Sequence, residues 1–249
     1  MISGGAGDIG RAIAHELAKQ GADIALGDIL EADDVSRTLE ELKGMRRRAR
    51  YDRVDVTNAE AVLQWTLHVE REFGVPTLII PGAAIVTLKS ICAITPEQWN
   101  RELQINLNGA FHLAQAGAQR MLHHHKPGRI VFVGSWAAHS VHTDLPAYCV
   151  SKAGLRMLCR CMALDLAPKG ILVNEVAPGY VDAGLSARIF DMQPERREQS
   201  AQIVPNRKLT GAEEVARQVA YLCDPDNKQM TGSVLLMDGG LSLISAGGS

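Results

Sequence analysis

Several short runs in this sequence are apolar at consecutive positions, and that limits the folds open to the chain. ADIALGD (22–28), TLIIPGAAI (77–85), RIVFVGS (129–135), ILVNEVAPG (171–179) and GSVLLMDGG (232–240) carry no regular solvent face. Strands buried on both sides belong to parallel sheets covered by helices. A further strand is read at YDRVDVT (51–57). Helical patterns alternate with these runs at about 9–20, 31–43, 58–73, 96–125, 147–167 and 211–223. In the first of them Ile9, Ile13 and Leu17 share a face that Gly21 ends. The alternation predicts an α/β class, a doubly wound parallel sheet with helices on both faces. At 249 residues without a linker, repeat or low-complexity tract, one domain over 1–249 is expected. The least patterned stretch, about 183–207, reads as a mobile substrate lid.

Charge and cysteine usage narrow the functional classes. A formal net charge of −2 and a pI near 6.4 offer no electrostatic footprint for nucleic acid or an anionic membrane. No apolar run reaches membrane-spanning length and no signal segment is apparent, so a cytoplasmic protein is expected. Cys92, Cys149, Cys159, Cys161 and Cys223 lack framework spacing and read as reduced thiols. Cys159 and Cys161, two apart on a helix, diverge, as do the consecutive His123, His124 and His125; no metal site is expected.

A parallel sheet binds ligands at the carboxyl ends of its strands, and the chain opens with a candidate cradle, MISGGAGDIG. Glycines at positions 4, 7 and 10 let backbone approach a pyrophosphate, and the N–H groups at the following helix start, near Asp8 and Ile9, face it. Asp28 ends the second strand, where an acid accepts hydrogen bonds from ribose hydroxyls and repels a 2′-phosphate. No Arg or Lys follows it until Arg37, so NAD is favoured over NADP. Asp55, closing the third strand, is placed to reach the adenine. Two features of the opening are odd. Met1 and Ile2 are few residues for a central strand, which reads as truncated: either residues upstream are absent or the strand is unusually short, and in the second case lowered stability and a weaker hold on the cofactor are expected. Asp8 interrupts the glycines; it is expected to cap the first helix by accepting an N–H near Gly10 or Arg11, pointing away from the pyrophosphate.

Tyr148 and Lys152, four apart on a helix, share a face, so an ammonium sits near a phenol and lowers its pKa. Such a phenol serves as acid and base near neutrality. Ser135 ends a central strand thirteen residues earlier, and Asn106 lies in LQINLNGAF. Ser135, Tyr148, Lys152 and Asn106, with SGGAGDIG, Asp55-Val56-Thr57, Asn174, Pro178-Gly179 and Asp238-Gly239-Gly240, resemble the short-chain dehydrogenase/reductase family in its roughly 250-residue branch. The likeness runs from Ser3 to about Gly240.

The resemblance implies a Rossmann-type sheet of order 3-2-1-4-5-6-7 and an enzyme interconverting a secondary alcohol and a ketone by hydride transfer to or from a nicotinamide cofactor. It implies that Tyr148 exchanges the hydroxyl proton, Ser135 orients the substrate oxygen, Lys152 also binds the nicotinamide ribose, and Asn106 holds a water that relays protons from Lys152. It places Ser3, Ile29, Val56, Ala83, Pro178, Gly179 and the backbone of Val181 against the cofactor. It also implies a homo-oligomer, tetramer or dimer, through the helices at about 103–125 and 147–167. Two departures matter. Pro81-Gly82-Ala83-Ala84 replaces the family's Asn-Asn-Ala-Gly, so local order there must come from elsewhere, and Ala183 replaces a Thr that contacts the cofactor. The substrate is a small molecule; Trp136, His139, His142 and Asp144 favour a polyol, sugar or hydroxy-acid. An NADPH-dependent 3-oxoacyl reductase and a non-catalytic nucleotide-binding scaffold stand as alternatives.

Overall fold

The computed structural model of the protein describes residues 1–244, side chains of Arg188 and Met192 excepted. Its elements alternate as β1 (Ile2–Ser3), α1 (Asp8–Lys19), β2 (Ile24–Asp28), α2 (Ser36–Gly44), β3 (Ala49–Arg53), α3 (Ala59–Phe73) and β4 (Leu78–Pro81). There follow α4 (Pro96–Leu103), α5 (Ala110–His123), β5 (Gly128–Val133), α6 (Pro146–Leu166) and β6 (Ile171–Pro178). The chain continues with α7 (Gly184–Met192), α8 (Pro194–Ile203), α9 (Ala212–Cys223) and β7 (Val234–Met237). The strands form one parallel sheet of order β3-β2-β1-β4-β5-β6-β7. Among the described residues no helix is long and apolar enough to cross a membrane.

Consecutive apolar residues on a strand feed opposite faces of the sheet. Ile79, Ile130 and Phe132 enter a core shared with α3, α5 and α6, whereas Ile80, Val131 and Val133 enter one shared with α1, α2 and α9. All six side chains are 8% exposed or less. This two-sided burial is why the sequence shows runs rather than alternation there.

β1 is short, as its sequence predicts, yet the central ladder is continuous. Ile2 pairs with Leu26 and Ile80, and Ser3 with Gly27 and Pro81. The Ile80 N–H donates to the Met1 carbonyl at 2.9 Å and the Gly5 N–H to the Gly27 carbonyl at 3.2 Å, so neighbours find partners beyond the strand's formal ends.

Three elements differ from the sequence reading. β3 lies earlier than 51–57, at Ala49–Arg53, so Asp55 sits two residues beyond the strand rather than closing it. β3 is an edge strand, for which two-sided apolarity is no guide; Arg50 instead binds Asp52 and Glu72, charges that blunt the edge. The helical stretch 96–125 is interrupted by a π-turn at Gln104–Gly109. The patternless stretch 183–207 contains α7 and α8. α8, PERREQSAQI, is polar nearly all round, so no periodic stripe announced it.

The β2 exit is packed without slack. A Cβ on Gly27 would lie 2.6 Å from the Trp65 ring, which is 3% exposed and cannot move aside cheaply. Gly27→Ala is expected to cost about 1–3 kcal/mol by overpacking. Urea unfolding followed by Trp fluorescence checks this, an unchanged midpoint counting against it.

Candidate active site

At the carboxyl edge of the sheet a cleft of about 710 Å³ runs from the glycine loop to α6. The loop between β1 and α1 forms its floor. Gly4 has φ +69°, and a Cβ there would stand 2.9 Å from the backbone of Ala83, so β1 and β4 can exit side by side only with glycine at that position. The order that Asn side chains supply elsewhere comes here from Ser3. Its Oγ accepts from the Gly82 N–H at 3.1 Å and the Ala83 N–H at 3.4 Å. Ser3, expected to contact the cofactor, is a buried brace beneath the cleft and is not among the residues that line it. Gly4, Gly7, Ile9, Gly10, Ile29, Val56, Ala83, Pro178, Gly179 and Val181 do line it.

Asp28 stands at one end. Its Oδ2 accepts from the Ala6 N–H at 3.1 Å and Oδ1 from the Ile29 N–H at 2.8 Å, so the carboxylate ties the glycine loop to β2 and still faces the cleft. The register of the sheet sets Arg53 opposite Asp28, a neighbour that counting along the chain after Asp28 did not find. Its guanidinium is engaged, however, with the Ile29 carbonyl at 3.0 Å and Glu31 at 2.6 Å. Asp55 lines the cleft with Oδ1 held by the Thr57 N–H and hydroxyl at 2.9 and 2.8 Å.

Asp8 behaves differently from its expected role. It is the first residue of α1 rather than its cap, and its Oδ2 accepts from the Gly184 N–H at 2.8 Å. That N–H is the first of α7, whose other candidate cap, Ala183, has no side-chain acceptor. The acid thus satisfies an orphan donor of a distant helix instead of its own.

At the other end lie the chemistry-bearing residues. Ser135 leaves β5 in extended conformation, 6% exposed, and its Oγ accepts from the Ala137 N–H at 3.1 Å. Tyr148 and Lys152 sit one turn apart on α6, with Lys152 Nζ 5.5 Å from the Tyr148 ring centroid and donating to the Val133 carbonyl at 2.8 Å. Burial pushes the Tyr148 phenol up to about 12, against the pull of the Ser135 hydroxyl. Burial likewise takes Lys152 down to about 8, opposed by the charges of Glu175 and Glu102. The expected lowering of the phenol by Lys152 does not prevail here, because desolvation disfavours both charged forms.

Asn106 lies in the π-turn, 1% exposed and outside the cleft lining. Its Oδ1 accepts from the Ile85 N–H at 2.8 Å, and its Nδ2 donates to the Ile85 carbonyl at 2.9 Å and to Ser151 Oγ at 3.2 Å. A supporting pair escaped the sequence reading. Glu175, fully buried on β6, binds Arg156 of α6 at 2.9 and 3.0 Å, and Arg156 also donates to the Ser135 carbonyl at 3.1 Å. An acid and a base on separate elements give no sequence signal short of contact information.

A second cavity of about 390 Å³ adjoins the cleft, walled by Val86, Leu88, Leu145, Tyr180, Ile189 and Phe190. Trp136 packs edge-on against His142 and Tyr180, with centroids 4.8 and 5.4 Å away. Burial holds the His142 imidazole below its ordinary pKa. Arg196 of α8 lies 3.7 Å from Asp144 in the cavity wall, both half-exposed. His139 is outside that wall and meets Arg156 instead at 2.9 Å.

The two sequence features considered for metal resolve separately. Cys159 is buried and Cys161 exposed, and all five thiols are free. His124 binds Glu70 at 2.7 Å beside Arg120. Among the described residues no cluster of three or more His, Cys, Asp or Glu is arranged to hold a metal ion.

Residues 4–242 match the family profile described as enoyl-(acyl carrier protein) reductase. The 3-oxoacyl-(acyl-carrier-protein) reductase FabG of Escherichia coli (strain K12) is 29% identical, covering 98% of this chain and 97% of that one. The cis-4-hydroxycyclohexanecarboxylate dehydrogenase of Sinomonas cyclohexanicum is 32% identical, with 98% and 96% covered. Among solved structures, an NAD(P)-dependent gluconate 5-dehydrogenase assigned in Beutenbergia cavernae, with NADP bound at low occupancy, superposes with TM-score 0.89 at 26% identity, covering 98% and 96%.

The desolvated ammonium supplies a test that needs no substrate. In the nucleotide-free protein the Lys152 resonance, identified by its loss in Lys152→Met, is expected to titrate with a midpoint about 8 rather than in the usual lysine range. A midpoint near 10.5 would remove the desolvation account.

Proposed function

The chain belongs to the short-chain dehydrogenase/reductase family of oxidoreductases acting on CH–OH groups, which bind NAD(P), and we propose that it is an NAD-dependent enzyme interconverting a secondary alcohol and its ketone. One observation carries the reading: Ser135 and Tyr148 line both the long cleft and the adjoining cavity, so the two spaces meet at a hydroxyl and a phenol. When bound, the nicotinamide supplies the hydride acceptor or donor.

The cleft fits such a cofactor. Gly4, Gly7 and Gly10 line it without side chains, and the start of α1 aims N–H groups and a positive dipole end at a pyrophosphate there. Lys152, Pro178, Gly179 and the backbone of Val181 border the nicotinamide end, where Ala183 offers no hydroxyl. Ser135 donates to the substrate oxygen, and Tyr148 takes or gives the hydroxyl proton. Lys152, charged below about pH 8, sits by the phenol and lowers the cost of phenolate once a ligand closes the cleft.

NAD is preferred over NADP because Asp28 faces the ribose end and the nearby cation, Arg53, is held by Glu31. The Beutenbergia cavernae neighbour, with NADP bound, is the reason to test this directly. For the substrate, a hydroxy-acid with an apolar body suits the cavity better than a polyol or sugar. Val86, Leu88, Leu145, Ile189 and Phe190 give it an apolar side, and Arg196 offers a carboxylate the charge now met by Asp144. The hydroxycyclohexanecarboxylate named for the Sinomonas cyclohexanicum relative has that shape and charge. Stretch 183–207 acts as a lid over this cavity. Homo-oligomerisation through α5 and α6 would cover Phe111, Leu122, Val150, Met157 and Leu164, which are 36–83% exposed. Five free thiols suit the cytoplasm.

Two variants test the reading. Tyr148→Phe is expected to lower kcat about 10²- to 10⁴-fold, the usual scale for losing a general acid–base group, while nucleotide affinity is kept; a wild-type chain that binds nucleotide and oxidises none of a panel of hydroxy-acids, polyols and small alcohols is a scaffold instead. Asp28→Asn keeps an acceptor for the Ala6 N–H but removes the charge. It is expected to raise the NADP/NAD ratio of kcat/KM about tenfold, equivalent to about 1.4 kcal/mol. A wild-type preference for NADPH and 3-oxoacyl substrates would favour the reductase that the Escherichia coli relative represents.

A further inference from the structure

A buried acid lies behind the site without a partner for one of its oxygens. Glu102 of α4 is fully buried; Oε2 accepts from the Thr87 N–H at 3.0 Å, and Oε1 has no hydrogen-bond partner. A desolvated carboxyl oxygen left unpaired is costly, and a group in that state calls for a role or a water. Glu102 precedes Asn106 by four residues, and together they grip alternate residues, Thr87 and Ile85, of the segment that leaves β4. α4 packs on α6, and the Glu102 charge is felt at Lys152, Tyr148 and Cys149 of that helix.

The Asn106 side chain is fully committed, its Nδ2 to Ile85 and Ser151 and its Oδ1 to the Ile85 N–H, and an amide does not take up a proton. Lys152 spends one N–H on the Val133 carbonyl and keeps two. We propose that Glu102 is the proton-carrying residue behind Lys152, its free Oε1 taking up, through water, the proton that Lys152 passes on during alcohol oxidation. Glu102 touches no reacting atom and acts through Lys152. The proposal rests on the oxidoreductase reading above.

The step balances. The substrate hydroxyl proton comes to rest on Tyr148 Oη. A Lys152 Nζ–H bond breaks as a Glu102 Oε1–H bond forms, leaving amine and carboxylic acid. The amine then regains a proton from Tyr148, and the acid returns to carboxylate by giving its own to water. Ketone reduction runs the sequence backwards.

Burial makes the transfer affordable in free energy. It raises Glu102 above the usual carboxylate range, outweighing the Thr87 amide and the Lys152 charge, and brings Lys152 down to about 8. A donor and acceptor with converging pKa values exchange a proton with little uphill cost. Cys149, raised by burial, is a neutral thiol near pH 7. Glu175 also acts on Lys152, but its carboxylate is engaged by Arg156.

Glu102→Gln keeps an oxygen for the Thr87 N–H and the side-chain volume, and loses the titration together with the charge felt at Lys152 and Tyr148. It is expected to reduce kcat about tenfold or more, within the 10²- to 10⁴-fold ceiling of proton-transfer catalysis, to change the acidic limb of the kcat–pH profile and to enlarge the solvent isotope effect. In the nucleotide-free protein, a protonated-carboxyl infrared band titrating above the usual Glu range should be present in wild type and absent from the variant. If Glu102→Gln does not fold, Glu102→Ala with added formate serves, formate restoring the rate. An active wild type with an unchanged pH profile and isotope effect in Glu102→Gln, or no formate rescue, overturns the proposal alone. A wild type inactive on every alcohol overturns the proposed function and this inference with it.

Discussion

The site depends on how closely two strand ends can approach at the middle of the sheet. β1 has only two residues, and what holds its exit against that of β4 is the Ser3 hydroxyl, which accepts two successive backbone N–H groups from Gly82 and Ala83. The absence of a Cβ at Gly4 permits the contact, and a side chain there would collide with backbone rather than with a movable group. Everything upstream of the cleft follows from that approach: the glycine loop turns toward α1, Asp28 reaches back to the Ala6 N–H, and the Ile85 segment is delivered to Asn106.

The opposite wall is an exercise in burying charge. Lys152, Glu175 and Glu102 are each 3% exposed or less, yet their solutions differ. Glu175 is fully engaged by Arg156 and acts as structure, steadying the Ser135 carbonyl through that guanidinium. Lys152 has one backbone acceptor and a depressed pKa. Burial without full pairing leaves a group close to neutrality, where small changes in its surroundings move protons.

The architecture was legible because two-sided burial writes itself as apolar runs, and the order of the sheet followed from motifs lying where the resemblance places them. Legibility failed where local composition is governed by something other than the core. β3 is an edge strand carrying Arg50, Asp52 and Arg53, and its boundary was read late. α8 buries little and shows no stripe. Gly4, Asp28, Ser135, Tyr148 and Lys152, singled out because the chemistry proposed for them demands particular residue types at fixed distances along the chain, all line the one cleft. Arg156, Glu175 and Glu102 were missed because each has meaning only through a neighbour on another element. Asp8 was identified, but its partner was sought on its own helix.

The Asp8 hydrogen bond has a consequence for the order in which the chain becomes ordered. Its acceptor and donor, Asp8 and Gly184, are 176 residues apart, and it closes the first turn of α7, a helix with no side-chain cap of its own. Contacts of such separation form late, because loop-closure entropy must be met before they contribute. α7 therefore acquires its anchored start only after the glycine loop and most of the sheet are in place. A wall of the second cavity is thus tied, across the length of the chain, to a carboxylate in the glycine loop.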